Sequence, residues 1–131
     1  MALIGLTDIA LLVIRIALGI VFIYHGFPKL LKAQVMAQGM GKPTGFILVL
    51  GLVETLSSLS VIVGLLTEIG AIGLGVVMVG ALYYKIAVWK IPFGAMDKTG
   101  WELDFVLLAA ALTLFFSGAG SISLDALLRI W

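Results

Sequence analysis

Long apolar runs, broken by short polar or glycine-containing stretches, dominate this chain. Within each run the apolar residues are continuous. They do not alternate with polar ones, so the pattern suits membrane-spanning helices and not the strands of a membrane barrel. A spanning helix needs about 20 mostly apolar residues. Four segments are of that kind, at about 9–31, 45–66, 69–87 and 101–116.

The stretches between them set the order of the bundle. Residues 32–44 read as a polar connection, with Gly39, Gly41 and Pro43 as breakers. Thr67-Glu68 reads as a very short turn, which makes the second and third helices antiparallel neighbours. Residues 88–100 carry Trp89, Pro92, Phe93 and Gly94 and separate the third helix from the fourth. Gly118-Ala119-Gly120 ends the fourth, and Ser123 is a natural N-cap for the tail that follows. The expected fold is all-α: an integral membrane bundle of four transmembrane helices, up-down-up-down, with a short amphipathic C-terminal tail. Residues 1–131 form one transmembrane domain in this reading.

Composition strengthens the assignment. Apolar residues make up 63% of the chain and charged residues 11%. Soluble domains have about 45–50% and about 25%. So few charges could not cover the surface of a water-soluble globule. A net charge of +1, with the basic residues spread over several loops, gives no reason to expect nucleic acid. Cysteine is absent, which removes disulfides, thiolate metal sites and iron–sulfur clusters from this chain. The first apolar run is too long for a signal-peptide core and has no basic residue before it, so it reads as an uncleaved span.

Lysine placement gives an orientation. Lys29, Lys32, Lys42, Lys85, Lys90 and Lys98 fall at one end and Arg129 at the other. The lysine-rich end is expected to be cytoplasmic in the plasma membrane, with both termini extracytoplasmic. Trp89, Trp101 and Trp131 fall at the expected interfaces. Gly19 and Gly26 share one face of the first helix, and Gly73 and Gly80 one face of the third. Small residues let helix backbones approach closely in lipid.

Ionisable residues inside the spans are costly and normally face the bundle interior in pairs. Arg15 lies about two turns into the first helix. Glu54 enters from the opposite side and reaches a similar height, so the two are expected to pair. The pair is either a packing device or the polar anchor of a cavity. His25 and Lys29 lie one turn apart near the lysine-rich end, level with Tyr83, Tyr84, Lys85, Glu102 and Asp104. Glu102 and Asp104 cannot both face inward. Glu102 is expected to be the inward one, and Asp104 interfacial near Lys98. Both also suit the N-terminus of a helix on dipole grounds alone. One histidine excludes a bis-histidine haem and a two-histidine iron site within the chain, and no phosphate-binding glycine motif is present.

These residues resemble the DoxX family of small four-helix membrane proteins. The resemblance rests on Arg15-Ile16-Ala17-Leu18-Gly19, then Phe22, His25-Gly26 and Lys29 in the first helix. It continues through Gly51-Leu52-Val53-Glu54, Gly64-Leu65-Leu66-Thr67, Gly100-Trp101-Glu102-Leu103-Asp104, Gly118-Ala119-Gly120 and Ser123-Leu124-Asp125. The chain departs from the family pattern at Ser57-Ser58, where a glycine pair is common, and at Glu68, where an arginine is common.

The resemblance implies a membrane subunit linked to quinone oxidoreductases or to oxidative stress. It carries Arg15, His25, Lys29, Glu54 and Glu102 over as candidate ligand-binding residues, and the reading of the residues adds Tyr84. No catalytic residue and no metal ligand is assigned. No intrinsic cofactor is expected, and a quinone is the cofactor class implied. As an enzyme the chain would be at most a subunit of a quinone-linked oxidoreductase. Its implied partners are the lipid bilayer, a quinone or other lipophilic ligand, and a redox protein or a second copy. Two alternatives stay open: a non-catalytic assembly partner of a membrane complex, and a small exporter of toxic aromatics.

Overall fold

A computed structural model describes residues 5–94 and 100–129. The described residues form six helices and no strand: α1 Leu6–Leu31, α2 Ala33–Met40, α3 Thr44–Val63, α4 Thr67–Tyr83, α5 Trp101–Ser117 and α6 Leu124–Leu128. α4 runs on into a π-helical turn, Tyr84–Val88. Three helical stretches are long and apolar enough to cross a membrane, namely Leu6–Leu31, Thr44–Val63 and Thr67–Val88. The fourth expected span, α5, has 17 residues and is shorter than these.

The connection expected at 32–44 is itself largely helical. Ala33 and Ala37 of α2 pack with Ile47 of α3, and this small apolar patch is what folds the segment. Gly41 ends α2 in the left-handed region, at φ 67°, where glycine pays no Cβ penalty. Gly64 does the same for α3 at φ 73°, and its N–H donates to Ser60 O at 2.9 Å. The α3–α4 turn therefore lies at residues 64–66, and Thr67 already belongs to α4.

Glycines set the register between helices. A Cβ on Gly19 would strike Ile62, one on Gly26 would strike Glu54 Cβ at 2.6 Å, and one on Gly51 would strike Lys29 Cβ at 2.8 Å. As positions rise along α1 their partners fall along α3, so the two helices run antiparallel in close contact. Gly70 and Gly73 of α4 meet Ser60 and Ser57 of α3 in the same way. Ser57 is thus spent on helix packing. Ser58 turns back to its own helix, donating to Glu54 O at 2.5 Å.

The interior is apolar: Leu18, Phe22, Val61, Leu74, Met78, Leu107, Ala111 and Leu114 pack together among α1, α3, α4 and α5. The outside is apolar as well, with Val13, Ile20, Leu56, Val76 and Phe116 all exposed. Apolar residues on both the core and the outer face are what a helix in lipid requires.

Candidate functional site

The buried arginine organises the end of the bundle opposite the lysines. Arg15 is 1% exposed. Its Nε donates to Val61 O at 2.9 Å and its Nη2 to Ile62 O at 2.9 Å. Its Nη1 donates to Ala119 O at 3.0 Å and Ile122 O at 2.7 Å. The last carbonyls of a helix lack intrahelical partners and carry partial negative charge. The guanidinium thus caps α3 and ties the chain after α5 to it. Asp125 completes this end: its carboxylate accepts from Leu66 N at 2.6 Å and Thr67 N at 3.0 Å. Those donors belong to the turn that opens α4. Asp8 accepts from Ser121 N at 2.9 Å and fastens the start of α1 to the same segment.

Arg15 and Glu54 therefore do not pair. The α1–α3 register sets Gly19 against Ser58 and Ile62, and Gly26 against Glu54. Arg15 lies a turn below Gly19, at the very end of α3. The eleven-residue separation from Gly26 is about 16 Å of helix. Depth along a bilayer normal gave the expected pairing, and helix register overrules it.

Glu54 instead meets Lys29, whose Nζ donates to Oε2 at 2.5 Å. Glu54 is almost fully enclosed, and Lys29 is partly accessible, at 3% and 15% side-chain exposure. A second ion pair stands across the bundle. Lys85 Nζ lies 2.7 Å from Asp104 Oδ2, although the contact lies off the line of a hydrogen bond. Here the structure reverses the expected roles in α5. Asp104, Leu107, Ala111 and Leu114 make its buried face, whereas Glu102 is exposed. The stripe from Asp104 to Leu114 was present in the sequence as an apolar heptad-like spacing. Lys98, the expected neighbour of Asp104, lies outside the described residues, as does Trp131.

Between the two ion pairs lies a cavity of about 620 Å³. α1 contributes Phe22, His25 and Lys29, α3 contributes Val53 and Glu54, and α5 contributes Leu103 and Asp104. The end of α4 contributes Gly80, Tyr84, Lys85 and Trp89. Gly80 has nothing within 4 Å of where a Cβ would stand, so its missing side chain is part of the space. Lys42, from the α2–α3 connection, reaches across to α4. Its Nζ donates to Tyr84 Oη at 2.6 Å and lies 4.5 Å from the centre of that ring. His25 edges the cavity, with its ring set T-shaped to Tyr24 at 5.4 Å. Tyr84 and Lys85 both lie in the π-helical turn. Such turns are rare and frequent at functional sites.

Of the candidate residues, then, His25, Lys29, Glu54 and Tyr84 come together around one cavity. Arg15 stands at the opposite end and Glu102 on the outside. Asp104, Lys85 and Lys42 join the cavity in their place. The sequence signalled Lys42 only as one interfacial lysine among several, since its reach depends on how α2 folds back. Among the described residues no group of three or more His, Cys, Asp or Glu is placed to hold a metal ion.

The fold and these intramembrane charges define an α-helical membrane protein with a polar-headed, apolar-walled cavity. The DoxX family model matches residues 10–87, and the chain belongs to the DoxX family. An uncharacterized protein of Haemophilus influenzae is 32% identical over 86% of this chain and 85% of its own length. A Bacillus subtilis protein that carries the name "Putative oxidoreductase CatD" is 27% identical over 90% of this chain and 86% of its own length. No solved structure matches the chain.

Proposed function

We propose that this protein is a membrane subunit that holds the polar head of a lipophilic small molecule of the quinone class, as an accessory to a membrane redox or stress-response system. The cavity carries the proposal. At about 620 Å³ it is of the size that encloses a small ligand. Its walls are mainly apolar, and its paired charges sit on two sides, as Lys29–Glu54 and Lys85–Asp104, with Lys42 beside Tyr84. A ring-shaped head would be held between those pairs, with its tail along Val53 and Val76. The oxidoreductase name of the Bacillus subtilis relative supports the redox context.

In the same reading α5 makes the fourth crossing, since 17 residues fall at the short end of the spanning range. The lysine-rich end faces the cytoplasm across the plasma membrane.

Trp89 lines the cavity and supplies a signal. Purified protein in a neutral detergent, titrated with a decyl-substituted benzoquinone, should show saturable quenching. Glu54→Gln should weaken that binding, and Trp89→Phe should remove the signal. A folded protein with no saturable response to the probe retires the proposal.

A further inference from the structure

Among the described residues, three ammonium groups, Lys29, Lys42 and Lys85, line the cavity against two carboxylates, Glu54 and Asp104. Both carboxylates are engaged, with Lys29 and Lys85. Lys42 is the cation left over: among the described residues its polar partner is the uncharged Tyr84 hydroxyl. We infer that, among the polar heads it can hold, the cavity prefers an ionised oxygen acid, a carboxylate or a phenolate, over a neutral one, with Lys42 as its counter-charge. This rests on the ligand-binding reading of the cavity given above.

The physical case has three parts. A net positive charge held against apolar walls is costly unless an anion joins it. A lipophilic anion supplies that charge and fills the walls at once. Hydrogen-bond capacity points the same way. An ammonium has three donors and no acceptor. Tyr84 takes one donor of Lys42, which leaves two that no acceptor among the described residues takes. Position is the third part. Lys42 stands between the left-handed Gly41 and Pro43, in the short connection from α2 to α3. From there its side chain crosses to the π-helical turn of α4, where Tyr84 and Lys85 lie. Its ammonium is therefore at the polar end of the cavity. The tail of the ligand would run toward Val53, Val76 and Gly80.

Three probes with apolar tails test this in one neutral detergent by equilibrium dialysis: laurate, 4-octyl-2-nitrophenolate and dodecanol. The two anions should bind about 10-fold tighter than the alcohol, as a charge-assisted hydrogen bond in place of a neutral one allows. The tighter of the two assigns the head as carboxylate or phenolate. Lys42→Gln should erase the preference and leave dodecanol binding within about 2-fold. Lys42→Arg should keep the preference. Lys32→Gln, an exposed lysine outside the cavity, should change nothing. Equal binding of anion and alcohol by the unaltered protein overturns this inference alone. So does a preference that survives Lys42→Gln. Binding of none of the three overturns this inference, while the decyl-benzoquinone titration separately decides the cavity reading on which it rests.

Discussion

Lys29 and Glu54 meet at 2.5 Å where Gly26 lets α1 and α3 touch. Gly51 borders the stem of Lys29 in the same way, so the absence of two side chains admits the ion pair between the helices. Removing one partner leaves the other charge enclosed and unpaired, which costs about 3 kcal/mol or more. Lys29→Met and Glu54→Met should each destabilise the protein by that order. The double variant should lose far less than both together. A double-mutant cycle of detergent unfolding checks this, and additive losses would show that the pair is not coupled.

Arg15 holds four carbonyls from two separate segments. Arg15→Lys keeps the charge but cannot span all four, because an ammonium lacks the planar fork of a guanidinium. The end of α3 and residues 119–128 should loosen together, with a cost of about 2–3 kcal/mol for carbonyls left without donors. Hydrogen exchange should report it as faster exchange at Asp125 N, which bonds to Gly64 O at 2.7 Å. Unchanged protection there would contradict the role.

Gly26 and Gly80 make a contrast. A Cβ at Gly26 lies 2.6 Å from Glu54 Cβ and 3.3 Å from the Thr55 backbone nitrogen, so Gly26→Ala should cost about 1–3 kcal/mol by overpacking. Gly80 faces open space within the cavity. Gly80→Leu should leave stability unchanged or slightly higher, by up to about 1 kcal/mol, since leucine is the better helix former. It should nevertheless abolish binding of the decyl-benzoquinone probe. Thermal unfolding and the titration, run on both variants, separate the packing glycine from the cavity glycine.

Asp125 caps a helix to which it does not belong. Its carboxylate receives the N–H groups of Leu66 and Thr67, and Leu66 holds a left-handed φ of 53° that this turn imposes. Asp125→Ala should cost about 2 kcal/mol, the upper end for an N-cap, because the site is enclosed. Asp125→Asn should retain part of it. Chemical unfolding of the two variants gives the comparison, and equal losses would argue that charge, and not hydrogen bonding, is what matters.

Much of the architecture was legible in the residue pattern. Continuous apolar runs demand helices in lipid, whatever packs against them, and Gly41 and Ser123 mark helix ends by local stereochemistry. The gathering of His25, Lys29 and Tyr84 at one level followed from counting helical rise. Those properties are local or one-dimensional, so a chain read in order suffices for them. The partner of each charge is different in kind. Glu54 takes Lys29 and not Arg15 because glycine contacts set the α1–α3 register. Asp104 turns inward and Glu102 outward because α5 rotates to bury Leu107, Ala111 and Leu114. Lys42 enters the cavity because the patch of Ala33, Ala37 and Ile47 folds α2 onto α3. Register, rotation and the course of a connection are settled by packing between segments far apart in sequence. No local pattern carries that information, and only the tertiary structure decides it.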